Sequence, residues 1–283
     1  MTLPVFVSET LHHEAIDWAT RASANGGLIS TNTIRAVSAF CRDIDSAQIR
    51  DRFARLSLMC GGNLPSALVP LYRSFTHGGV AIGSATDTNF NFVSSDYLET
   101  GLSGGLLGNG VSKYLRTQVS VNNIGSSNNM HLAFSGIGVE TGTNFFNTNG
   151  GRKCLIGMYD ATAGLAALIF AAGETGRVAA VGGAVNMQGT STATEPLIIA
   201  SRVSAASEKL YQSRNVASSI NATNTTPSST VPFAVFGIGS SAAASEFSAA
   251  RCQAYSIGLS FTDAQAAAYY DALLAFRVAL GRA

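Results

Sequence analysis

The sequence predicts a mainly β protein, a β-sandwich with helices at both ends. Three observations carry that expectation. Short apolar runs recur between Gly, Asn and Ser turns from about residue 63 onward, the rhythm of a sandwich or barrel. Apolar residues recur at three-to-four spacing only near the two ends, as on a buried helix face. No alternation of strand and long helix intervenes, which excludes a parallel doubly wound sheet.

The first helix is expected over Thr10 to Arg21, with Leu11, Ala15, Ile16, Trp18 and Ala19 on one side, ended by Asn25-Gly26-Gly27. Thr31 or Asn32 caps a second, through Ile34, Val37, Phe40 and Cys41. Asp45 is read as the N-cap of a short third helix containing Ile49 and Phe53, because a side-chain oxygen there accepts a first-turn amide. Leu56 to Cys60 reads as a buried strand stopped by Gly61-Gly62.

Strands then follow at Asn89 to Val93, Lys113 to Thr117, Met130 to Phe134, Lys153 to Met158 and Ala166 to Phe170. Further ones fall at Leu197 to Val203, Phe233 to Ile238 and Gln253 to Ile257. Several alternate polar and apolar residues, as antiparallel strands with one wet face do. Thr262-Asp263-Ala264-Gln265 is a capping box, Ala266, Tyr269, Tyr270, Leu273, Leu274 and Leu280 form the stripe behind it, and Gly281 ends the helix. Phe276 and Val278 point away from that stripe. A helix apolar on two sides is buried on two sides, so its second side is expected to pack on the helices around Trp18 and Phe40 or on a neighbouring subunit. The chain thus divides into a helical lead-in, residues 1–62, and a sandwich, residues 63–283, closed by the helix 262–280.

Composition narrows the function. Only 12% of the 283 residues are charged, about half the usual share, and the first 60 hold twelve of those side chains. Ser, Thr, Asn, Gly and Ala must cover the surface, which suits contact with other neutral surfaces. A net charge of +1 without a Lys/Arg cluster speaks against nucleic acid, which needs several phosphate-neutralising cations on one face. No apolar stretch approaches the length of a membrane span, and Met1-Thr2-Leu3-Pro4 does not open a signal peptide. Cys41, Cys60, Cys154 and Cys252 form no C-x-x-C pair, so they read as buried free thiols in a reducing compartment and not as a zinc site.

Two stretches carry a family likeness. One is Asn91-Phe92-Val93-Ser94-Ser95-Asp96-Tyr97 with Gly105-Leu106-Leu107-Gly108-Asn109-Gly110-Val111-Ser112-Lys113-Tyr114-Leu115. The other is Ala254-Tyr255-Ser256-Ile257-Gly258-Leu259-Ser260-Phe261-Thr262 with the final helix. Together they resemble the concanavalin A-like lectin/glucanase (LamG-like) domains of tailed-bacteriophage virion proteins, over about residues 35–283. The resemblance implies a jelly-roll β-sandwich in a virion assembled in a bacterial host's cytoplasm, on a tail fibre, baseplate or other exterior. Its partners would be other virion proteins, further copies of itself (a trimer among the options) and host surface polysaccharide. A receptor-binding carbohydrate module and a capsid decoration protein are the alternatives.

No catalytic set is expected. Glucanases of this fold use Glu-x-Asp-x-Glu, which puts the carboxylates on one strand face; here Asp96 and Glu99 are three apart. Gly101-Leu102-Ser103-Gly104-Gly105 spells G-x-S-x-G, but Leu106 to Gly110 cannot open the helix that a nucleophile elbow requires, so it reads as a turn. His12-His13-Glu14 lacks the second histidine of H-E-x-x-H, Asp17 standing in its place. His77 reads as a turn residue and His131 as a packed or surface strand residue. Asn221 and Asn224 head sequon-like triplets in a polar loop. The most ligand-like loop is Phe145, Phe146, Asn147 and Asn149, since aromatic faces stack on sugars and amides donate and accept. No cofactor is expected; for a cation, Asp87 and Asn89 offer the hard oxygens that suit calcium.

Overall fold

The computed structural model describes residues 10–138, 153–173, 176–181, 187–189, 197–220 and 228–283. Two helices lead, α1 (His13–Ala24) and α2 (Thr31–Ser46), followed by β1 (Phe53–Ser57) and the one-turn α3 (Leu64–Ala67). Next come β2 (Thr88–Phe90), β3 (Tyr97–Leu98), β4 (Gly105–Leu107), β5 (Tyr114–Arg116) and the short α4 (Val121–Ile124). The long strands are β6 (Met130–Ile137), β7 (Cys154–Asp160), β8 (Leu165–Gly173) and β9 (Gly176–Val181), then β10 (Met187–Gly189), β11 (Ile198–Ser204), β12 (Ser207–Gln212) and β13 (Asn215–Ile220). β14 (Ala234–Val235), β15 (Ile238–Gly239), β16 (Arg251–Gly258) and α5 (Asp263–Ala279) complete the order.

The strands form two sheets, so the chain is a mainly β sandwich with helices at both ends. The first runs β13-β12-β11-β6-β16-β4-β3, with β1 also on β16; the second runs β10-β9-β8-β7-β14-β5-β2, with β15 on β7. Among the described residues every strand pairing is antiparallel except β15 with β7. Between the sheets lies an apolar core that includes Leu106, Leu132, Phe134, Ile156, Phe233, Phe236, Tyr255 and Ile257.

A second core lies on the other face of the first sheet. There Trp18, Val37, Phe40, Phe53, Leu56, Ile199, Ala254, Phe261, Tyr269, Leu273 and Phe276 pack together. The expected second burial of the C-terminal helix holds for Phe276 but not for Val278, which is exposed: Phe40 of α2 meets Phe276 of α5 at 5.9 Å, and Phe53 meets Tyr269 at 5.0 Å. The capping box is formed, with Thr262 accepting from the Gln265 amide. At the far end Gly281 (φ +66) donates to Val278 and Arg282 to Arg277, the paired bonds of a Schellman ending.

The lead-in departs from expectation in three places. Ser30, not Thr31 or Asn32, caps α2. Asp45 is inside α2 and caps nothing; the chain turns at Gln48 (φ 55), and the short third helix is a single 3-10 turn over Arg50–Arg52, capped by Ile49, before β1 starts at Phe53. That strand therefore begins three residues before Leu56, and its Arg55, Leu56 and Ser57 pair with Ile257, Ser256 and Tyr255 of β16. β1 precedes the expected domain boundary at 62 yet is hydrogen-bonded into the first sheet.

Candidate functional site

The groups capable of acid–base or ligand chemistry are best placed by their partners. Asp87 is buried, and its carboxylate lies 2.6 Å from the Arg55 guanidinium, with both side chains fully shielded. The Tyr255 hydroxyl reaches both Asp87 oxygens at 2.7 Å and accepts from Arg55 Nε at 3.0 Å. Burial first, then the Asp87 charge, raises the Tyr255 phenol far above its ordinary range, so it stays a donor. Arg55 also reaches the Ser84 carbonyl at 3.0 Å. Gly83 there has φ +75, and a Cβ would stand 2.6 Å from the Thr117 carbonyl and 3.0 Å from Arg55 Nη1; only glycine fits. Asn89, the other calcium candidate, is exposed and closes a turn on the Phe92 backbone through both ends of its amide. The structure thus gives Asp87 and Asn89 separate partners instead of a shared site.

His131 is packed, not at the surface. Its Nδ1 lies 2.7 Å from the Leu259 carbonyl and its Nε2 2.8 Å from Ser256 Oγ. A carbonyl only accepts, so Nδ1 carries the proton and the serine hydroxyl donates to Nε2. Burial pushes this imidazole down to about 3, partly opposed by the Leu259 carbonyl. His12 caps α1: its Nδ1 accepts from the Glu14 amide, and its Nε2 lies 3.0 Å from Asp45. The His12, Glu14 and Cys41 ligand atoms fall within 4.8 Å of one another, a grouping that the H-E-x-x-H search misses because Cys41 comes from α2. Glu14 is, however, committed to Arg50 at 2.7 Å, and burial pushes the Cys41 thiol up to about 12, so it keeps its proton. All four cysteines are buried free thiols. Gly101 to Gly104 lies in the loop that joins β3 to β4, and Gly105 opens β4, so a strand and not a helix follows. His77 lies in a turn. Phe145, Phe146, Asn147 and Asn149 lie outside the described residues, as do Asn221 and Asn224.

A cleft lined by charged side chains lies between α1 and the 71–81 segment. It has a volume of about 220 Å³ and is lined by Glu14, Asp17, Arg21, Arg50, Leu71, Arg73, Ser74, His77, Gly78, Gly79 and Ala81. Glu14, Asp17 and Arg21 stand at three-to-four spacing on α1, hence on one face. Arg21 holds Asp17 at 2.8 Å and donates to the Pro70 and Leu71 carbonyls. Arg50 holds Glu14, donates to the Ser74 carbonyl and lies 3.7 Å above the Tyr72 ring. Arg73 is different: its Nε is shielded from solvent and hydrogen-bonds to nothing among the described residues. Burial, then the neighbouring Arg55 and Arg21, lower its guanidinium from its ordinary value. With Arg21, Arg73 also borders a second cleft of about 300 Å³ beside Asn25 and Thr86. Sequence reasoning misses this site because its cations come from positions 21, 50 and 73, which share no motif.

No family model and no curated protein matches the chain. Among solved structures, it is similar to the binding domain of Paraclostridial Mosquitocidal Protein 1, at 9% identity and TM-score 0.42 over 78% of the chain. It is also similar to a Trypanosoma rangeli sialidase mutant displaying trans-sialidase activity, at 10% identity and TM-score 0.46 over 85%. A third is Trypanosoma rangeli sialidase in complex with 2,3-difluorosialic acid, at 12% and 0.42 over 84%. The chain spans 52%, 39% and 39% of those three chains respectively.

Proposed function

We propose that the chain is a non-catalytic exterior component of a tailed-phage virion, a tail-fibre or baseplate protein, whose lectin-like sandwich contacts host surface polysaccharide. The virion part rests on the family resemblance of the sequence, and the non-catalytic part is supported by the engagement of several groups otherwise able to do acid–base work. Asp87 is spent on Arg55, Glu14 on Arg50, Glu208 on Arg202, and His131 on Leu259 and Ser256. Such pairs hold an architecture, whereas a general acid or base must keep a lone pair or proton for its substrate. A surface poor in charge suits broad contact with neutral partners. Contact with other copies is assigned to the β3–β4 hairpin, where Leu98, Leu102 and Leu107 are exposed; exposed apolar side chains gathered on a sheet edge mark interaction surfaces. The sugar contact is assigned to Phe145, Phe146, Asn147 and Asn149 on their residue types, aromatic faces to stack and amides to donate and accept.

Two measurements test this. Mass spectrometry of purified particles from the strain that encodes the chain should find it; its absence from them overturns the virion reading. An array of bacterial surface polysaccharides should show binding that Phe145→Ala or Phe146→Ala abolishes. Release of reducing ends from such material by the full chain would overturn the non-catalytic reading.

A further inference from the structure

We infer that the cleft between α1 and the 71–81 segment is an anion site in which Arg73 receives the oxyanion or carboxylate group of a ligand. The inference rests on the cleft itself and not on the virion reading. Three arginines and two carboxylates line the cleft. Arg21 and Arg50 neutralise Asp17 and Glu14 at 2.8 and 2.7 Å, which leaves the positive charge of Arg73. A guanidinium presents five donors in a planar fork that matches carboxylate and phosphate oxygens. Arg73 Nε is shielded and has no hydrogen-bond partner among the described residues, so an entering anion would meet the terminal nitrogens of this half-buried guanidinium. Two further cations nearby, Arg55 and Arg21, depress the Arg73 guanidinium together with its burial; a bound anion would oppose both effects. The two acids do not bar such a ligand, since each is already held by its arginine. The cleft, of about 220 Å³, is too small for a polymer; it suits one charged group or one sugar unit.

The test uses the full chain at low ionic strength, with inorganic sulfate, inorganic phosphate and glucuronate as separate probes. Calorimetry and thermal melts should both show saturable binding, because a ligand of the native state raises the melting temperature. Tighter binding of sulfate or phosphate would assign a phosphoryl or sulfuryl group, and tighter binding of glucuronate an acidic sugar. Arg73→Gln should weaken the preferred probe at least tenfold, while Arg35→Gln, at an exposed position on α2, should leave it unchanged. If Arg73→Gln fails to fold, Asp17→Asn decides. It releases Arg21 from its acid and should tighten the anion several-fold. No saturable binding of any probe overturns the inference, and so does binding that neither Arg73→Gln nor Asp17→Asn alters. The Phe146→Ala array result is independent of this cleft, so either reading can fail alone.

Discussion

The two faces of the first sheet are both buried, but in different ways. Toward the second sheet the packing is dominated by apolar side chains, with the Arg55–Asp87–Tyr255 cluster as a polar island. Toward the helices, apolar contacts are interleaved with polar clamps. His131 bridges Leu259 and Ser256, Gln253 accepts from Arg277 at 2.7 Å, and Trp18 donates to the Val69 carbonyl at 3.0 Å. Arg282 is buried and donates to the Glu99, Leu58, Met59 and Gln253 carbonyls. The helix-facing side thus fixes register as well as burial: an apolar face tolerates small slips, whereas a hydrogen bond to a named carbonyl does not.

The largest expected effect comes from removing one side of that comparison. Deleting residues 262–283 strips the helix from the outer face and takes the Arg277 donor from Gln253 Oε1; the product should be insoluble on expression, and a soluble, cooperatively melting truncation would show the helix to be ornamental. Next is Asp87→Asn, which leaves Arg55 buried without its counter-charge. Breaking a buried pair from one side costs about 3–5 kcal/mol, readable as a lowered urea midpoint. The comparison itself sharpens with Phe276→Ala and Phe236→Ala, one from each core. If both cores belong to one cooperative unit, each should cost about 3 kcal/mol with unchanged denaturant slope; a changed slope for Phe276→Ala alone would separate the helical layer.

A titration distinguishes the two faces further. His131 is neutral when folded, with its proton affinity pushed down to about 3, while the unfolded imidazole titrates near 6.5. A depressed folded value means that the unfolded state takes up the proton first. Stability from this group is therefore full above about 6.5 and is lost as pH falls toward about 3, by up to about 1.4 kcal/mol per pH unit. Wild type minus His131→Gln should isolate that slope, and identical slopes would refute the assignment. The smallest effect belongs to neither face: Arg214→Gln removes an exposed pair with Asp271, of a kind that contributes about 0–1 kcal/mol.

Much of the fold is legible in residue order. The Thr262–Gln265 box, the Gly281 stop and the centres of β5, β6, β7, β8, β11 and β16 are local signals, and each stands where expected. What misleads is polarity. Gln253 and Ser256 in β16 are polar, yet both are buried, because elements distant in the chain supply their partners, Arg277 of α5 and the Gly104 carbonyl for Gln253 and His131 of β6 for Ser256. Asp45 fails as a cap for a related reason: α2 continues past it while Ile44 is still buried. The Arg73 cleft leaves no trace in the sequence, since its walls are brought together only when α1 docks on the 71–81 segment.

The place of β16 has a consequence in time. It borders β6 on one side and both β4 and β1 on the other, so without it the first sheet falls into three unconnected pieces, β13-β12-β11-β6, β4-β3 and β1. β1 and β16 lie about 200 residues apart in the chain, and pairings of such separation form slowly. At about 5–20 residues per second of synthesis, β1 waits about 10–40 s for its neighbour. Phe53 and Leu56 have no β16 beside them throughout that interval, which makes the nascent chain most vulnerable to aggregation before residue 251 has been added.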